Sequence, residues 1–353
     1  HLRTMTGHAS VVDVLHSGME TSYELFSALS DRFNGDVFAY EETESQAVTS
    51  GDLRVIADFL GGANLSTGQL ALWPYDFAVI PTELISSIYE QLLDGTQRAD
   101  SAYYTPRAVV DLILDEVMPP GRATERPSVL DPACGSGIFL AEAFRRLARQ
   151  QRNATFDELS ELLVSSIFGV DRNPKAVSVA SLSLYLTLLE HVDPPTAWDR
   201  ARLPSLVGRN LIVSDFFSTH AHSDRRFDIV VGNPPWRGHL SGPASEFVRA
   251  NALGVPDKQV AWAFVLAVVD LLNDGGQLGF LLPAKSFLHN KRRGEVAARR
   301  NLFERLDVST VIDLSCLRRT TFSSAVAPAS VVVGRGRTDQ SDDDGDGIGD
   351  ACE

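Results

Sequence analysis

Apolar residues in the first hundred positions recur at the spacing of amphipathic helices. Three stretches show this spacing, at residues 23–29, 53–60 and 84–93, and polar, glycine-containing joints separate them. We therefore expect a helical N-terminal segment over residues 1–100. A polar stretch at 94–104 closes it, and Thr105-Pro106 then forms a good start for a further helix.

The pattern changes at residue 128, where short β-rich runs begin to alternate with helical stretches. The runs are SVLDP, IFGVDRNP, NLIVSDF, FDIVVGNPPW, QLGFLLP, VSTVIDLS and ASVVVG. Strands alternating with helices predict an α/β fold, with a mostly parallel, doubly wound sheet covered on both faces. We place this domain at residues 101–337.

Four of these runs end in a polar residue, namely Asp131, Asp171, Asp215 and Asn233. Ligands of open parallel sheets bind beyond the carboxyl ends of the strands. The sequence therefore predicts a binding site at that edge.

Composition narrows the class of protein. Hydrophobic residues make up 44% and charged residues 22%, which is typical of globular domains. No apolar run approaches the roughly 18 to 20 residues of a membrane span, and no secretory pattern is present, so we expect a cytoplasmic protein. The 3 cysteines are far apart, which argues against a disulfide framework.

The net charge of -14 is unfavourable for contact with nucleic acid, but it is unevenly distributed. Half of it comes from residues 339–353, which hold acidic side chains and no basic ones. Basic clusters occur at residues 145–152, 291–300 and 318–319. Each is either a solvated helix face or a patch that faces phosphates.

The segment VLDPACGSGIFL predicts a strand, a glycine-rich turn and a helix, an arrangement that holds nucleotide-like cofactors. Gly135 and Gly137 allow a tight turn and a close approach of the backbone to a ligand. Such a turn is also common without any ligand. Neither G-K-[ST] nor a complete GxGxxG is present, which disfavours nucleoside triphosphates and dinucleotides.

Two carboxylates have either a binding or a structural interpretation. Asp171 can accept hydrogen bonds from both ribose hydroxyls of an adenosine, or it can cap the helix that begins near Pro174. Asp215 can accept from an adenine amine beside the ring of Phe216, or the pair can form a strand-end turn with a core phenylalanine.

The most specific pattern is Asn233-Pro234-Pro235-Trp236, which directly follows a buried strand. The two prolines fix φ and remove two donors, so the Pro234 carbonyl keeps a set direction. That carbonyl and the Asn233 side-chain oxygen can accept from one NH2 group. Trp236 offers a face on which a base can stack. We expect these four residues to be catalytic.

The ordered motifs resemble the gamma-class adenine-N6 DNA methyltransferases of restriction-modification and phage-defence systems. They are AYYTP at 102–106, DPACGSGIFL at 131–140, GVDRNP at 169–174, SDFF at 214–217, NPPW at 233–236 and TFSSAVAPASVVV at 321–333. The resemblance implies a Rossmann-like fold and methyl transfer from S-adenosylmethionine to a flipped-out adenine in double-stranded DNA.

The resemblance also implies residue roles. Tyr104, Thr105 and Pro106 hold the methionine part of the cofactor, and Asp131 lies under it with the loop residues Ala133, Cys134, Gly135 and Gly137. Asp171 holds the ribose, Asp215 and Phe216 the cofactor adenine, and Trp236 and Phe322 the two faces of the target base.

Three alternatives accompany this interpretation. The same acceptors suit a protein glutamine or RNA, and a non-catalytic DNA-binding subunit can keep the fold.

The family places a target-recognition domain after its last motif, where few residues remain. We therefore expect a recognition domain or specificity subunit as a partner.

The last segment, 338–353, forms an acidic Gly/Asp tail. Its spacing matches a calcium loop and resembles a thrombospondin type-3 repeat, with candidate ligands Asp342, Asp344, Asp346, Ile348, Asp350 and Glu353. The alternative is an unstructured acidic tail.

Overall fold

The computed structural model describes residues 10–32, 47–63, 105–119, 126–191, 202–218, 225–236, 240–256, 259–317 and 328–337. The predictions on Tyr104, on Phe322 and on the calcium loop lie outside these residues.

Three helices of the N-terminal segment are described, namely α1 (Val11–Ser17), α2 (Met19–Arg32) and α3 (Ser50–Leu60). Ser10 and Thr49 are the N-cap residues of capping boxes at the starts of α1 and α3. Leu15, Leu53 and Ala57 form a small apolar cluster between these two helices. The helices predicted at 23–29 and 53–60 are confirmed by α2 and α3, and the stretch predicted at 84–93 lies outside the described residues.

Seven described strands form one sheet, in the order β3-β2-β1-β4-β5-β7-β6. Their bounds are β1 Val129–Asp131, β2 Ile167–Asp171, β3 Leu211–Val213, β4 Phe227–Gly232, β5 Leu272–Pro283, β6 Leu306–Asp313 and β7 Ala329–Gly336. Each overlaps one of the predicted β-rich runs, but β5 and β6 begin earlier than their runs and β7 ends two residues later.

The sheet is parallel from β3 to β5 and antiparallel where β7 pairs with β5 and β6. In the parallel part, Gly232 lies opposite Phe280, so β4 and β5 end at the same edge. The mostly parallel sheet agrees with the prediction.

Helices cover both faces of the sheet. Their bounds are α4 Arg107–Val117, α5 Ile138–Gln150, α6 Phe156–Ser166, α7 Pro174–Leu189, α8 Gly242–Ala250, α9 Val260–Val268 and α10 Arg293–Arg305. Helices α4 to α7 pack on one face, and α9 and α10 on the other. None of the described helices is both long and apolar enough to cross a membrane.

Adjacent strand residues point to opposite faces, as the pleat of a strand requires. Val129 belongs to one apolar cluster and Leu130 to the other. In β4, Val231 packs with the first cluster and Val230 with the second. The strands are therefore buried on both sides, which explains their near-continuous apolar runs.

The structure corrects the interpretation of the basic cluster at residues 145–152. Arg145 is 5% exposed and donates to both Glu142 and Glu190. Arg146 donates to Asp115 of α4. These two arginines join helices α4, α5 and α7, so they form neither a solvated face nor a phosphate patch.

Candidate active site

Asn233 follows β4 directly and is only 6% exposed. Its amide nitrogen donates to Thr105 Oγ1 at 3.0 Å, across 128 positions of the sequence. Thr105 is itself 5% exposed and lies just before α4. Because the amide nitrogen makes this contact, the side-chain oxygen, on the other branch of the planar amide, points away from Thr105.

The residues after Asn233 are largely enclosed. Pro234 is buried and Pro235 is partly exposed. Trp236 is 9% exposed and packs with the apolar cluster under α4 to α7. The ring is thus largely enclosed in the protein, and its stacking on a target base stays a prediction.

Asp131 ends β1 and is 2% exposed. Its Oδ1 accepts from the Ala133 N–H at 3.0 Å. A Cβ built on Gly232 would lie 2.7 Å from that same oxygen, so glycine is what lets β4 end against this carboxyl group. Burial raises the pKa of Asp131 to about 8, and the nearby charge of Asp171 adds to the rise.

The two glycines of the loop serve different purposes. Gly135 has φ +53°, and a Cβ built on it would meet nothing within 4 Å, so its outer side is open. Gly137 has φ +82°, and its Cβ would lie 2.8 Å from the Cβ of Ala180. Gly137 is therefore needed for the packing of α5 on α7.

Cys134 contributes its backbone to the loop, since its thiol is buried and faces the sheet. A Cβ at Gly169 of β2 would lie 3.1 Å from Cys134 Sγ. Burial raises the pKa of this thiol above its ordinary value, so it stays protonated. Ala133, the neighbouring loop residue, packs from the other side against the cluster under α9 and α10.

Asp171 fastens the loop to the end of β2. Its Oδ2 accepts from the Gly135 N–H at 2.9 Å, and its Oδ1 from the Asn173 N–H at 2.8 Å. Burial raises the pKa of Asp171, and these two hydrogen bonds oppose the rise. The cap of α7 is Asn173, which accepts from the Lys175 N–H, so the alternative of Asp171 as the helix cap is wrong.

Asp215 and Phe216 lie just after β3, and both are partly exposed. Asp215 Oδ1 accepts from the Phe217 N–H at 3.0 Å, which forms a local turn. Phe216 stacks on Phe264 with ring centroids 5.3 Å apart. The structure thus contains the turn and the packed ring of the structural alternative, and the carboxylate remains accessible.

The predicted residues within the described ranges gather at one edge. Asp131, Asp171 and Asn233 each end or directly follow a parallel strand, and Thr105 reaches the same edge from α4. The open side of Gly135, next to the Asp171 carboxylate, leaves room for a ligand at the start of α5. This cradle fits the ribose end of S-adenosylmethionine. In the described residues no three His, Cys, Asp or Glu side chains are grouped to hold a metal.

Comparison with known proteins assigns the chain. Residues 81–344 match the family described as N-6 DNA Methylase. The chain belongs to this family. The matched region includes every strand of the sheet and the whole candidate site, so the resemblance of the motifs to adenine-N6 methyltransferases is confirmed at the level of the family.

Two relatives of this N-6 DNA Methylase family member are a type I and a type II enzyme. The chain is 27% identical over 202 residues to the type I restriction enzyme EcoEI methylase subunit of Escherichia coli, covering 57% of this chain and 36% of the relative. It is 26% identical over 204 residues to the type II methyltransferase M.VspI of Vibrio sp. (strain 343), covering 57% and 41%. It therefore spans about two fifths of the length of these relatives.

A solved structure supports the fold. The type I restriction-modification system methyltransferase subunit from Streptococcus thermophilus superposes with a TM-score of 0.61 at 20% identity. The superposition covers 94% of this chain and 65% of that subunit. The predicted Rossmann-like methyltransferase fold is confirmed.

Proposed function

We propose that this chain transfers a methyl group from S-adenosylmethionine to the N6 amine of an adenine in DNA. The observation that carries the proposal is the buried Asn233 amide at the end of β4. Thr105 holds its nitrogen, and two prolines that cannot donate follow it. This arrangement presents oxygen acceptors, which suits a substrate that carries an NH2 group.

Cofactor binding is assigned to the edge around Gly135. There Asp171 would hold the ribose hydroxyls and Asp215 the adenine amine. Pro106, with Tyr104, would hold the methionine part, and Thr105, whose hydroxyl accepts from the Asn233 amide, would lie beside it. S-adenosylmethionine supplies a methyl group on a sulfonium centre, which is electrophilic without help from a metal.

The protein's task is to orient the target amine. Asn233 Oδ1 and the Pro234 carbonyl each accept one N–H of the base, which turns the nitrogen lone pair toward the methyl carbon. As the new N–C bond forms and the C–S bond breaks, positive charge develops on the nitrogen, and both oxygens stabilise it. The surplus proton then leaves to solvent. Orientation therefore carries most of the catalysis.

Methyl transfer from labelled S-adenosylmethionine tests this function. We expect label in duplex DNA and not in RNA or in a protein with an exposed glutamine. Label in either of the latter would favour the alternative substrates. Absence of cofactor binding by calorimetry would favour a non-catalytic subunit.

Asn233→Ala is the matched variant for that experiment. We expect it to abolish transfer while cofactor affinity changes less than about twofold, because the side chain faces the substrate amine. Retained turnover would remove Asn233 from its role.

The finer assignments are proposals of the same kind. We place the chain in the gamma class, in a restriction-modification or phage-defence system, with double-stranded DNA and a recognition domain or specificity subunit as partners. Sequence readout needs contacts to base edges. Addition of a specificity subunit from a related system should therefore speed methylation and narrow it to defined sites.

Calcium binding by the acidic tail stays a prediction. Titration of calcium into the protein with and without residues 339–353 tests it. Identical heats would contradict a calcium site.

A further inference from the structure

The turn between β5 and α10 carries exposed cations at the same edge of the sheet as Asn233. β5 ends at Pro283, three residues beyond the partner of Gly232. Lys285, Lys291 and Arg293 follow, and all three are exposed. We call these three residues the basic turn.

The backbone under the basic turn is held in place from below. Residues Lys285–His289 form one turn of π-helix. Arg299 of α10 donates to the carbonyls of Ser286 and Asn290, at 3.2 and 2.7 Å. Trp262 stacks on Phe287 with centroids 3.9 Å apart. These contacts therefore fix the backbone that carries the exposed cations.

Among the described residues, no acidic side chain forms an ion pair with Lys285, Lys291 or Arg293. Glu295 is the one acidic residue between positions 285 and 300, and it is 1% exposed and accepts from Asn290. Asp313 lies close by, 3.2 Å from His289. The surface of the turn is thus positive in a chain whose net charge is -14.

The basic turn does not help its own helix. Arg293 is the first residue of α10, where the helix macrodipole disfavours cations, and Glu295 is the acidic residue of that first turn. A requirement for helix stability alone would favour acidic or capping residues there. Binding of an external anion explains a cation at this position better than helix stability does.

We infer that the basic turn holds the phosphodiester backbone of duplex DNA beside the pocket that receives the target base. This inference rests on the proposed function, since it places the partner at the substrate edge. Phosphate contacts fix register and orientation without reading sequence. The basic turn would thus supply nonspecific affinity, while sequence choice comes from elsewhere.

The chain offers a charge-matched control at the opposite edge. Helix α5 starts beside the cofactor loop and runs 13 residues, about 20 Å, away from that edge. Arg149 and Arg152 lie at its far end and are exposed. K291Q/R293Q and R149Q/R152Q therefore remove equal charge from opposite edges.

Binding of a labelled duplex is measured by anisotropy between 25 and 200 mM salt, with cofactor affinity as a check on folding. We expect K291Q/R293Q to make the slope of log K against log salt shallower by about 1.8, or about 0.9 for each lost phosphate contact. R149Q/R152Q should change it by less than about 0.5. K291R/R293K, which keeps both charges, should bind like the wild type. All variants should keep their affinity for S-adenosylmethionine.

Equal slopes for the two charge-removing variants, or no binding of the wild type at 25 mM salt, would overturn the inference. Failure of the proposed function has a different signature, since wild-type protein would then transfer no methyl group to DNA. If the wild type transfers methyl groups but the two variants show equal slopes, the proposed function stands and only the DNA-binding role of the basic turn is ruled out.

Discussion

Two regions of the molecule take carboxyl groups out of water in opposite ways. In α5, buried Glu142 accepts from Arg145 and also pairs with Arg107 at 3.4 Å. At the end of β1, Asp131 is buried to a similar degree, and its hydrogen-bond donor is the backbone N–H of Ala133. Among the described residues no lysine or arginine forms an ion pair with Asp131.

The contrast separates stability from function. Buried charges are tolerated in a scaffold when each finds an opposite charge and good hydrogen bonds. A buried carboxyl with a strongly raised pKa costs stability, and such groups concentrate at sites that bind or react. The helical side of the sheet is therefore arranged for stability, and the carboxyl edge for a ligand.

The largest expected effect comes from breaking the paired region. Glu142→Gln keeps the size of the side chain but leaves Arg145 with Glu190 as its acidic partner. We expect a loss of about 3 kcal/mol in the free energy of unfolding, at the lower end for a broken buried pair. Urea denaturation measures it.

The control for Glu142 is an exposed pair. Arg126 and Glu161 lie 3.0 Å apart, with side chains 49% and 67% exposed. Glu161→Gln should cost less than about 1 kcal/mol. Similar losses for the two variants would show that burial does not distinguish them.

Asp171 tests the ligand side of the comparison. Asp171→Ala should weaken binding of S-adenosylmethionine by about 1.5 to 3 kcal/mol, the worth of hydrogen bonds to a charged group. Calorimetry measures the affinity. If it is unchanged, the carboxylate serves only to fasten Gly135 and Asn173.

Thr105 separates a role toward Asn233 from a role toward the cofactor. Thr105→Val removes the acceptor for the Asn233 amide and should lower kcat about 10-fold to 100-fold, with cofactor affinity nearly unchanged. Thr105→Ser keeps the hydroxyl and should restore most of the rate. A loss of cofactor affinity that matches the loss of rate would return Thr105 to the methionine-binding role predicted from the sequence.

Per pH unit, the smallest effect is the pH dependence of stability that comes from Asp131. Its pKa is about 8 in the folded protein against an ordinary 3.8, so folding retains a proton between these values. The stability that this proton contributes is complete below pH 3.8 and is lost as pH rises toward 8, by at most about 1.4 kcal/mol per pH unit. Asp131→Asn cannot ionise and should flatten the dependence in unfolding measured from pH 5 to 8. An unchanged slope would mean that other groups cause it.

Much of the fold was predictable because its signals are local. Each of the seven strands overlaps a short β-rich run, and polar residues at or just after the ends of four of them gather at the carboxyl edge of the sheet. Asp131, Asp171, Asp215 and Asn233 were found in this way. The antiparallel position of β7 was not, since a run of apolar residues does not specify its partner.

Local sequence patterns do not predict contacts between residues that are far apart in the sequence. The partners of Arg145 and Arg146 lie on other helices, 45 and 31 positions away, so the sequence shows the cations without their acids. The contact of Asn233 with Thr105 joins two motifs that sequence analysis assigned to substrate and cofactor separately. The burial of Trp236 depends on an apolar cluster built from several helices and strands, which the four letters of its motif do not encode.

The position of β7 has a consequence for synthesis of the chain. β5 and β6 precede it in sequence, yet β7 lies between them and hydrogen-bonds to both. As the chain leaves the ribosome, the edges of β5 and β6 that pair with β7 therefore lack a hydrogen-bonding partner until residues 329–336 emerge. Such edges invite pairing with other chains. The sheet closes only when a strand made late inserts into its middle, and this half of the sheet is where a nascent chain is most exposed to aggregation.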